Sequence, residues 1–521
     1  MIRMRTPGMV SALLAPSLLL GTIGAGTAQA ADQTYYVSEN GSDSNAGTSP
    51  DAPLRTIQKA ADRTEPGDTV SIMNGTYTEP YKGGDVLNIT RSGQAGAPIT
   101  YRAHPGHDPV IHPVTGWNGI GINGAAHIVI KDLEIKGNSA NLNLADAERL
   151  ADPKDPTYNT NCIWAQPDSS GAEPHHIDVV GNTVHHCPGL GIGARDVDHM
   201  TIDRNHVHST SWYTVYATSG ISILEALDSG GAGGDTYKIR ITNNVVHDNE
   251  TMVKWEACNC YSDGNGIIVD TLKDKPGGGP AYQGRVLVAN NLSFDNGGSG
   301  IHSFKSQHVD IVHNTAYHNS RSSRMESYAN IFAAKSEDVR ILNNVSYARS
   351  GENTNPAHEN VDVTYDYNVY FGGKEPEVQG ENDVIADPKL VDPGTGPDAD
   401  FRLQEGSPAI GTGTSFPAVT TDITGAPRDP EAPDRGAYVY GAESGAPAAG
   451  KESAAESGGN PGAGDGSGTE SGKQPQGHSR PLAATGTDLT FLGVGAAVLA
   501  VGAGFVFTAV RRKSHLTKSA G

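Results

Sequence analysis

Seven times along the middle of this chain, two apolar residues at i and i+2 are followed three residues later by an asparagine. The copies are Ile177-x-Val179-x-x-Asn182, Met200-x-Ile202-x-x-Asn205, Ile239-x-Ile241-x-x-Asn244, Val286-x-Val288-x-x-Asn291, Val309-x-Ile311-x-x-Asn314, Val339-x-Ile341-x-x-Asn344 and Val363-x-Tyr365-x-x-Asn368. An i, i+2 pair lies on one face of a strand, and the asparagine falls where the chain must turn. The closest copies are 23 or 24 residues apart, a solenoid period. The longer gaps before Asn244 and Asn291 read as one coil with a long loop, or as two coils. Three residues after each asparagine stands a planar ring: His185, His208, His247, Phe294, Tyr317, Tyr347 and Phe371. In a right-handed parallel β-helix, strands of successive coils lie about 4.8 Å apart and equivalent positions sit over one another. The pattern therefore predicts an all-β solenoid with an asparagine ladder and a column of stacked rings. The histidines continue into Phe and Tyr at the same register, which favours packing over a zinc site.

Composition agrees. Gly 65 and Pro 31 in 521 residues, with 6% aromatics, favour turns over helices. The net charge of −21 argues against nucleic acid or an anionic membrane as partner. An acidic polymer would need a local cationic site or a bound metal. Four cysteines are too few for a disulfide scaffold. Cys162 and Cys187 are about one coil apart and could bridge neighbouring turns, whereas a direct Cys258 to Cys260 bridge would be strained and is not assigned.

The two ends read as addresses. Arg3 and Arg5, the apolar Leu13 to Leu20 stretch and Ala28-Gln29-Ala30 have the layout of a secretory signal peptide, residues 1–30, with a mature start at Ala31. Residues 442–481 have the composition of a flexible spacer. Phe491 to Val510 is an apolar run of about the 20 residues a membrane span needs, and Arg511-Arg512-Lys513 follows. With Leu482-Ala483-Ala484-Thr485-Gly486 upstream, residues 482–521 resemble a Gram-positive LAxTG cell-wall sorting signal. The resemblance implies sortase cleavage between Thr485 and Gly486 and attachment to peptidoglycan at the cell surface. An ordinary membrane anchor is the alternative.

Residues 31–441 contain further motifs. Tyr35-Tyr36-Val37-Ser38, Pro53 to Ala60, Pro66-Gly67-Asp68-Thr69 and Gly75-Thr76-Tyr77 resemble the opening of bacterial extracellular β-helix proteins of the pectate lyase superfamily. The resemblance implies an N-terminal cap over about residues 31–80, with Ile57 to Ala61 as a short capping helix. Ala386-Asp387-Pro388-Lys389, Phe401-Arg402-Leu403, Gly406 to Ile410 and Asp434-Arg435-Gly436-Ala437-Tyr438 are similar to the end of such proteins, a C-terminal cap over about 376–441.

Ser262 to Asp270, Asn291 to Gly297 and Gly298 to Lys305 resemble the active-site coils of family 9 pectate lyases. The resemblance implies Lys305 as the base and Asp263 and Asp270 as calcium ligands. The coil before them, Ser219 to Glu225, has no aspartate, so Asn265, Asp295 or Glu225 would complete the shell. Carboxylate and amide oxygens on adjacent strands make a hard-cation site, and a uronate would bridge that ion. Charge withdrawal then acidifies the C5 hydrogen, and a lysine near the cation is favoured as a base. Arg321, Arg324 and His302 are assigned to substrate, the arginines as clamps for sugar carboxylates. Lys335 lacks nearby acids and ranks behind Lys305. The function expected is a monomeric polysaccharide lyase acting on an acidic, pectate-like polymer by metal-assisted β-elimination. The alternatives are a β-helix hydrolase or epimerase using a pair such as Asp263 with Asp270 or Asp295, and a non-catalytic glycan-binding adhesin.

Overall fold

The computed structural model describes residues 32–229, 236–276, 278–326, 328–396 and 398–442. The signal segment up to Ala30, most of the spacer, Thr485, Gly486 and the Phe491 to Val510 run lie outside the described residues.

The chain winds as a right-handed parallel β-helix of three sheets. Each coil visits them in a fixed order. Sheet one has eleven strands, from Thr34–Val37 to Val361–Asp366; sheet two has eleven, from Thr76–Tyr77 to Val384–Ile385; sheet three has eight, from Leu87–Ile89 to Ile331–Ala334. The paired apolar residues fill the interior: Ile177, Val179, Ile202, Ile239, Ile241, Val286 and Val288 are fully buried. The open end is covered by the helix Ile57–Ala61, whose N-cap Thr56 accepts from the Lys59 amide and whose Ile57, Ala60 and Ala61 are buried.

The corner between sheets one and two repeats in seven successive coils. Gly181, Arg204, Asn243, Asn290, His313, Asn343 and Tyr367 precede the seven repeat asparagines and all have positive φ, between 53° and 67°. This left-handed residue turns the chain within two positions. Each asparagine then bonds to the next coil. The Asn314 amide and Nδ2 both donate to Asn344 Oδ1, at 2.9 and 3.0 Å, while Asn314 Oδ1 accepts from the Asn291 amide and Nδ2 at 2.9 and 3.0 Å. The ladder runs unbroken from Asn182 to Asn368 and ends on Asp383. Asn205 bonds directly to Asn244 and Asn244 to Asn291, so both long gaps are single coils with long loops.

Asn314→Leu leaves the Asn291 amide and side-chain N–H buried without acceptors. At about 1 to 3 kcal/mol per orphaned group, a loss of about 3 kcal/mol or more is expected in urea unfolding. A loss under about 0.5 kcal/mol would show that the ladder is not a stabilising element.

The ring column lies on the outside of the wall and its face-to-face stacking stops short of the seven rings expected. Val184, Val207 and Val246 take the interior positions of sheet two, so the neighbouring rings face outward. His185, His208, His247 and Phe294 stack with centroids 4.9, 5.0 and 4.5 Å apart. Phe401, from the C-terminal segment, then packs against Phe294 at 4.9 Å and Tyr317 at 5.4 Å, and Tyr317, Tyr347 and Phe371 meet edge to face. That segment lies along sheet two: Phe401, Leu403, Ile423 and Tyr438 share a core with Leu292, Phe294, Val345 and Val369.

Long loops leave the corner between sheets two and three. One contains the helix Leu144–Leu150, whose Ala147 packs with Tyr213, Val215 and Val253 from the loops of later coils. Cys162 and Cys187 are disulfide-bonded with Cα atoms 5.6 Å apart; Cys258 and Cys260, which the sequence left unassigned, are also bonded.

Candidate active site

Sheet three carries the candidate site on its outer face. In Ile267–Asp270 the residues Ile267 and Val269 point into the core, leaving Ile268 and Asp270 to point out. Parallel register aligns outward positions on successive coils, so Asp270 stands between Leu224 and Phe304. One outward row, Trp164, Ile268, His302 and Phe332, is buried. The next, Gln166, Arg195, Leu224, Asp270 and Phe304, is half-buried and reachable from solvent. One residue further on, Asp196, Glu225, Thr271, Lys305 and Lys335 all have left-handed backbones, with φ between 46° and 56°. The amides of Glu225, Thr271 and Lys305 donate to carbonyls of the following coil at 3.0, 2.8 and 2.9 Å, which repeats the corner and holds this third row in line.

Lys305 follows Phe304, the register partner of Asp270, and its charge reaches the Asp270 carboxyl on this face. Burial pushes the Asp270 carboxyl up to about 7, helped by the charges of Asp263 and Glu225, while the Lys305 ammonium pulls it down. Lys305 Nζ lies 5.2 Å from the centre of the Phe304 ring and has no ion pair among the described residues. A lysine beside carboxylates without a fixed partner is free to meet a ligand. Glu225 is also raised, by burial first and by Asp196 next. Burial lifts Asp263 to about 6.

The other residues singled out by the sequence have structural partners. Asp263 accepts from Ser262 Oγ at 2.8 Å and from Asn265 Nδ2 at 3.2 Å. Asn265 is buried: its Oδ1 accepts from the Ser299 amide and hydroxyl, and its Nδ2 also donates to Ser219 Oγ. Asp295 follows a strand of sheet two and is bound by Arg321 at 2.8 Å and by Arg349, so it belongs to a different sheet from Lys305. Arg321 also takes Asp248 at 2.7 Å and faces Glu250 at 3.6 Å. Arg324 ties Glu148, the Met252 carbonyl and Tyr261 together across three loops. His302 is buried, bonded to Ser299 Oγ and stacked on Phe332 at 4.8 Å. Both arginines therefore brace the loops, and His302 packs within sheet three.

The carboxylates do not assemble a calcium shell. Calcium takes six to eight oxygens at 2.3 to 2.6 Å. Among the described residues no three carboxylates each bring an oxygen within 4.8 Å of one another. Asn265 and Asp295 have their oxygens committed elsewhere.

Sequence reading missed Lys275, Arg195 and Asp196. Lys275 is buried on the loop after Asp270, bonded to the Ala226 carbonyl, and burial lowers its pKa against the pull of Asp196, Asp228 and Glu225. Arg195 and Asp196 pair at 3.2 Å on the coil before Glu225. Lys275 lies on a loop that no periodic signal marks, whereas Arg195 and Asp196 occupy the same two rows as Asp270 and Lys305.

The family described as Pel9A-like, right handed beta helix region, matches residues 35–155, and a right handed beta helix region matches residues 118–278. Over 76 residues the chain is 45% identical to pectate lyase PEL9 of Emericella nidulans, covering 15% of this chain and 17% of that protein. It is 42% identical over 76 residues to the uncharacterized protein YwoF of Bacillus subtilis, covering 15% of each. These matches thus span less than a fifth of either relative's length. The crystal structure of pectate lyase Pel9A aligns with a TM-score of 0.48 at 17% identity, covering 78% of this chain and 96% of that one. The family matches support a Pel9A-like β-helix region over residues 35–155 and a right-handed β-helix over residues 118–278.

Proposed function

We propose that the chain is a carbohydrate-active enzyme of the cell surface, a polysaccharide lyase that cleaves an acidic polymer by β-elimination. The observation that carries the proposal is the placement of Lys305, whose ammonium has no ion pair among the described residues, beside Asp270, whose carboxyl is pushed up to about 7, on adjacent rows of one outer face. Lys305 in its neutral form takes the C5 proton of a uronate; the electron pair forms the C4–C5 double bond and the C4–O bond breaks. Asp270, holding its proton near neutral pH, delivers it to the leaving oxygen. No step is routed through a cation. The relatives named pectate lyase support the substrate class. Incubating the protein with a panel of acidic polysaccharides should give ultraviolet absorbance from an unsaturated uronide. New reducing ends without that absorbance would reject elimination.

That second outcome would identify a hydrolase, the reading favoured by the two lifted carboxyls, Asp270 at about 7 and Asp263 at about 6. One would serve as acid and the other as base, with Lys305 dispensable.

Export and wall attachment complete the proposal, supported by the order of the Leu482 to Gly486 pentapeptide, apolar run and basic tail. Wall-released protein should end at Thr485 by mass spectrometry. Protein extracted by detergent with residues beyond Gly486 still attached would reject sortase processing.

A further inference from the structure

Sheet one carries an unassigned cluster of imidazoles. Its strands Ala126–Lys131, His175–Val180 and Asp198–Asp203 are consecutive, registered so that His175 stands between Ala126 and Asp198. The second residues of these strands are His127, His176 and His199, all with left-handed backbones. Their rings line up across three coils, His127 to His176 at 4.6 Å and His176 to His199 at 4.3 Å. His175, one residue earlier, brings its ring to the same spot, 5.4 Å from His127 and 5.0 Å from His176, and its Nδ1 lies 2.8 Å from the Nδ1 of His176.

One nitrogen from each of His127, His175 and His176 lies within 4.8 Å of the other two, and no other three His, Cys, Asp or Glu side chains converge so closely among the described residues. His127 and His175 are half-buried and His176 is exposed, which leaves the nitrogens reachable from solvent. Three imidazoles without a carboxylate favour zinc, nickel or copper over calcium, whose ligands are oxygens. Tetrahedral zinc, with Zn–N distances of about 2.0 to 2.1 Å, sets ligand nitrogens about 3.3 Å apart, so ring rotations closing the widest gap by at most about 1.5 Å complete the geometry. The close Nδ1 pair can share only one hydrogen, and a cation would take its place. The neighbouring Lys238 does not oppose this, because its ammonium is held by Asp198 and Asp228 at 3.2 and 3.1 Å.

We infer that His127, His175 and His176 form a solvent-open site for a late first-row divalent cation, with His199 as the positioning residue that packs against His176. Three nitrogens leave the fourth tetrahedral position to water or to an external ligand. The buried Asp198 lies beside His199, its Oδ2 3.0 Å from His199 Nδ1.

The site is tested on the mature protein, free of a polyhistidine tag and stripped of metal, by calorimetric titration with zinc chloride. One equivalent is expected to bind, and an excess of calcium should not displace it. His127→Asn and His176→Asn, chosen because asparagine tolerates the left-handed backbone, should each weaken binding at least tenfold, and His199→Ala should weaken it less. Circular dichroism of each variant confirms that the coils remain folded. Absence of saturable zinc binding, or zinc binding that survives both substitutions, overturns the site. The readout is metal stoichiometry, so it stands or falls independently of the lyase proposal.

Discussion

Lys305→Ala is expected to lower the rate of unsaturated product release by about 10²- to 10⁴-fold, with substrate affinity largely kept. The size follows from losing a proton acceptor while the surrounding wall stays in place. Lys305 contributes its backbone to the corner, through its amide to the Ala334 carbonyl and its carbonyl to the Lys273 amide, and alanine preserves both bonds. Its side chain fills no core position and makes no ion pair among the described residues, so the fold should not suffer. Lys335 holds the same corner position one coil later and is the matched control. Lys335→Ala should change the rate by less than about threefold, because a base beyond hydrogen-bond reach cannot act. A small effect at Lys305 with a large one at Lys275 would move the base to the buried lysine on the loop after Asp270. Chelation is expected to leave the rate unchanged, since among the described residues no three carboxylates gather. A calcium-dependent rate would mean that substrate or loop movement completes a shell absent from the free chain.

The solenoid was legible because its signal repeats. Every coil must bury two apolar residues and close the same corner, and both demands recur in the sequence from Ile177 to Asn368. The same logic marks a second ladder that was overlooked, Asn249 to Asn296 to Asn319 to Asn330, the first three standing five residues after Asn244, Asn291 and Asn314. Partners of charged side chains were not legible. Asp295 and Arg321 were read as ligand and clamp, yet they bind each other from loops 26 residues apart. Nothing local distinguishes an arginine that awaits a substrate from one that meets a carboxylate of the previous coil. The ring column was legible as a column, but its termination depends on Phe401, which returns from beyond the repeat. Lys305 and Asp270 were legible because they occupy strand-end positions whose register the repeat determines.

Asp270→Asn should move activity and stability in opposite directions. The folded chain holds the Asp270 proton up to about 7, chiefly because the carboxyl is buried and secondarily because Asp263 and Glu225 lie near it. The unfolded chain releases that proton in the usual carboxylate range, near 4. Between these values the folded state binds more protons, so this group's contribution to stability is complete below the unfolded pKa and declines as pH rises through about 7. Asparagine carries no charge to bury. The variant is therefore expected to melt higher than the parent at pH 8 and to lose that advantage at pH 4. Its turnover should fall by about 10²- to 10⁴-fold, the loss expected for a general acid. In the parent, the rate should decline as pH rises beyond about 7, where Asp270 gives up its proton. Asp270→Asn should erase the declining limb. A variant that melts no higher at pH 8 would show that the carboxylate is not held at a cost there. One that keeps both its rate and the limb would show that the acid lies elsewhere. Gain of stability with loss of rate marks a group retained for chemistry at the fold's expense.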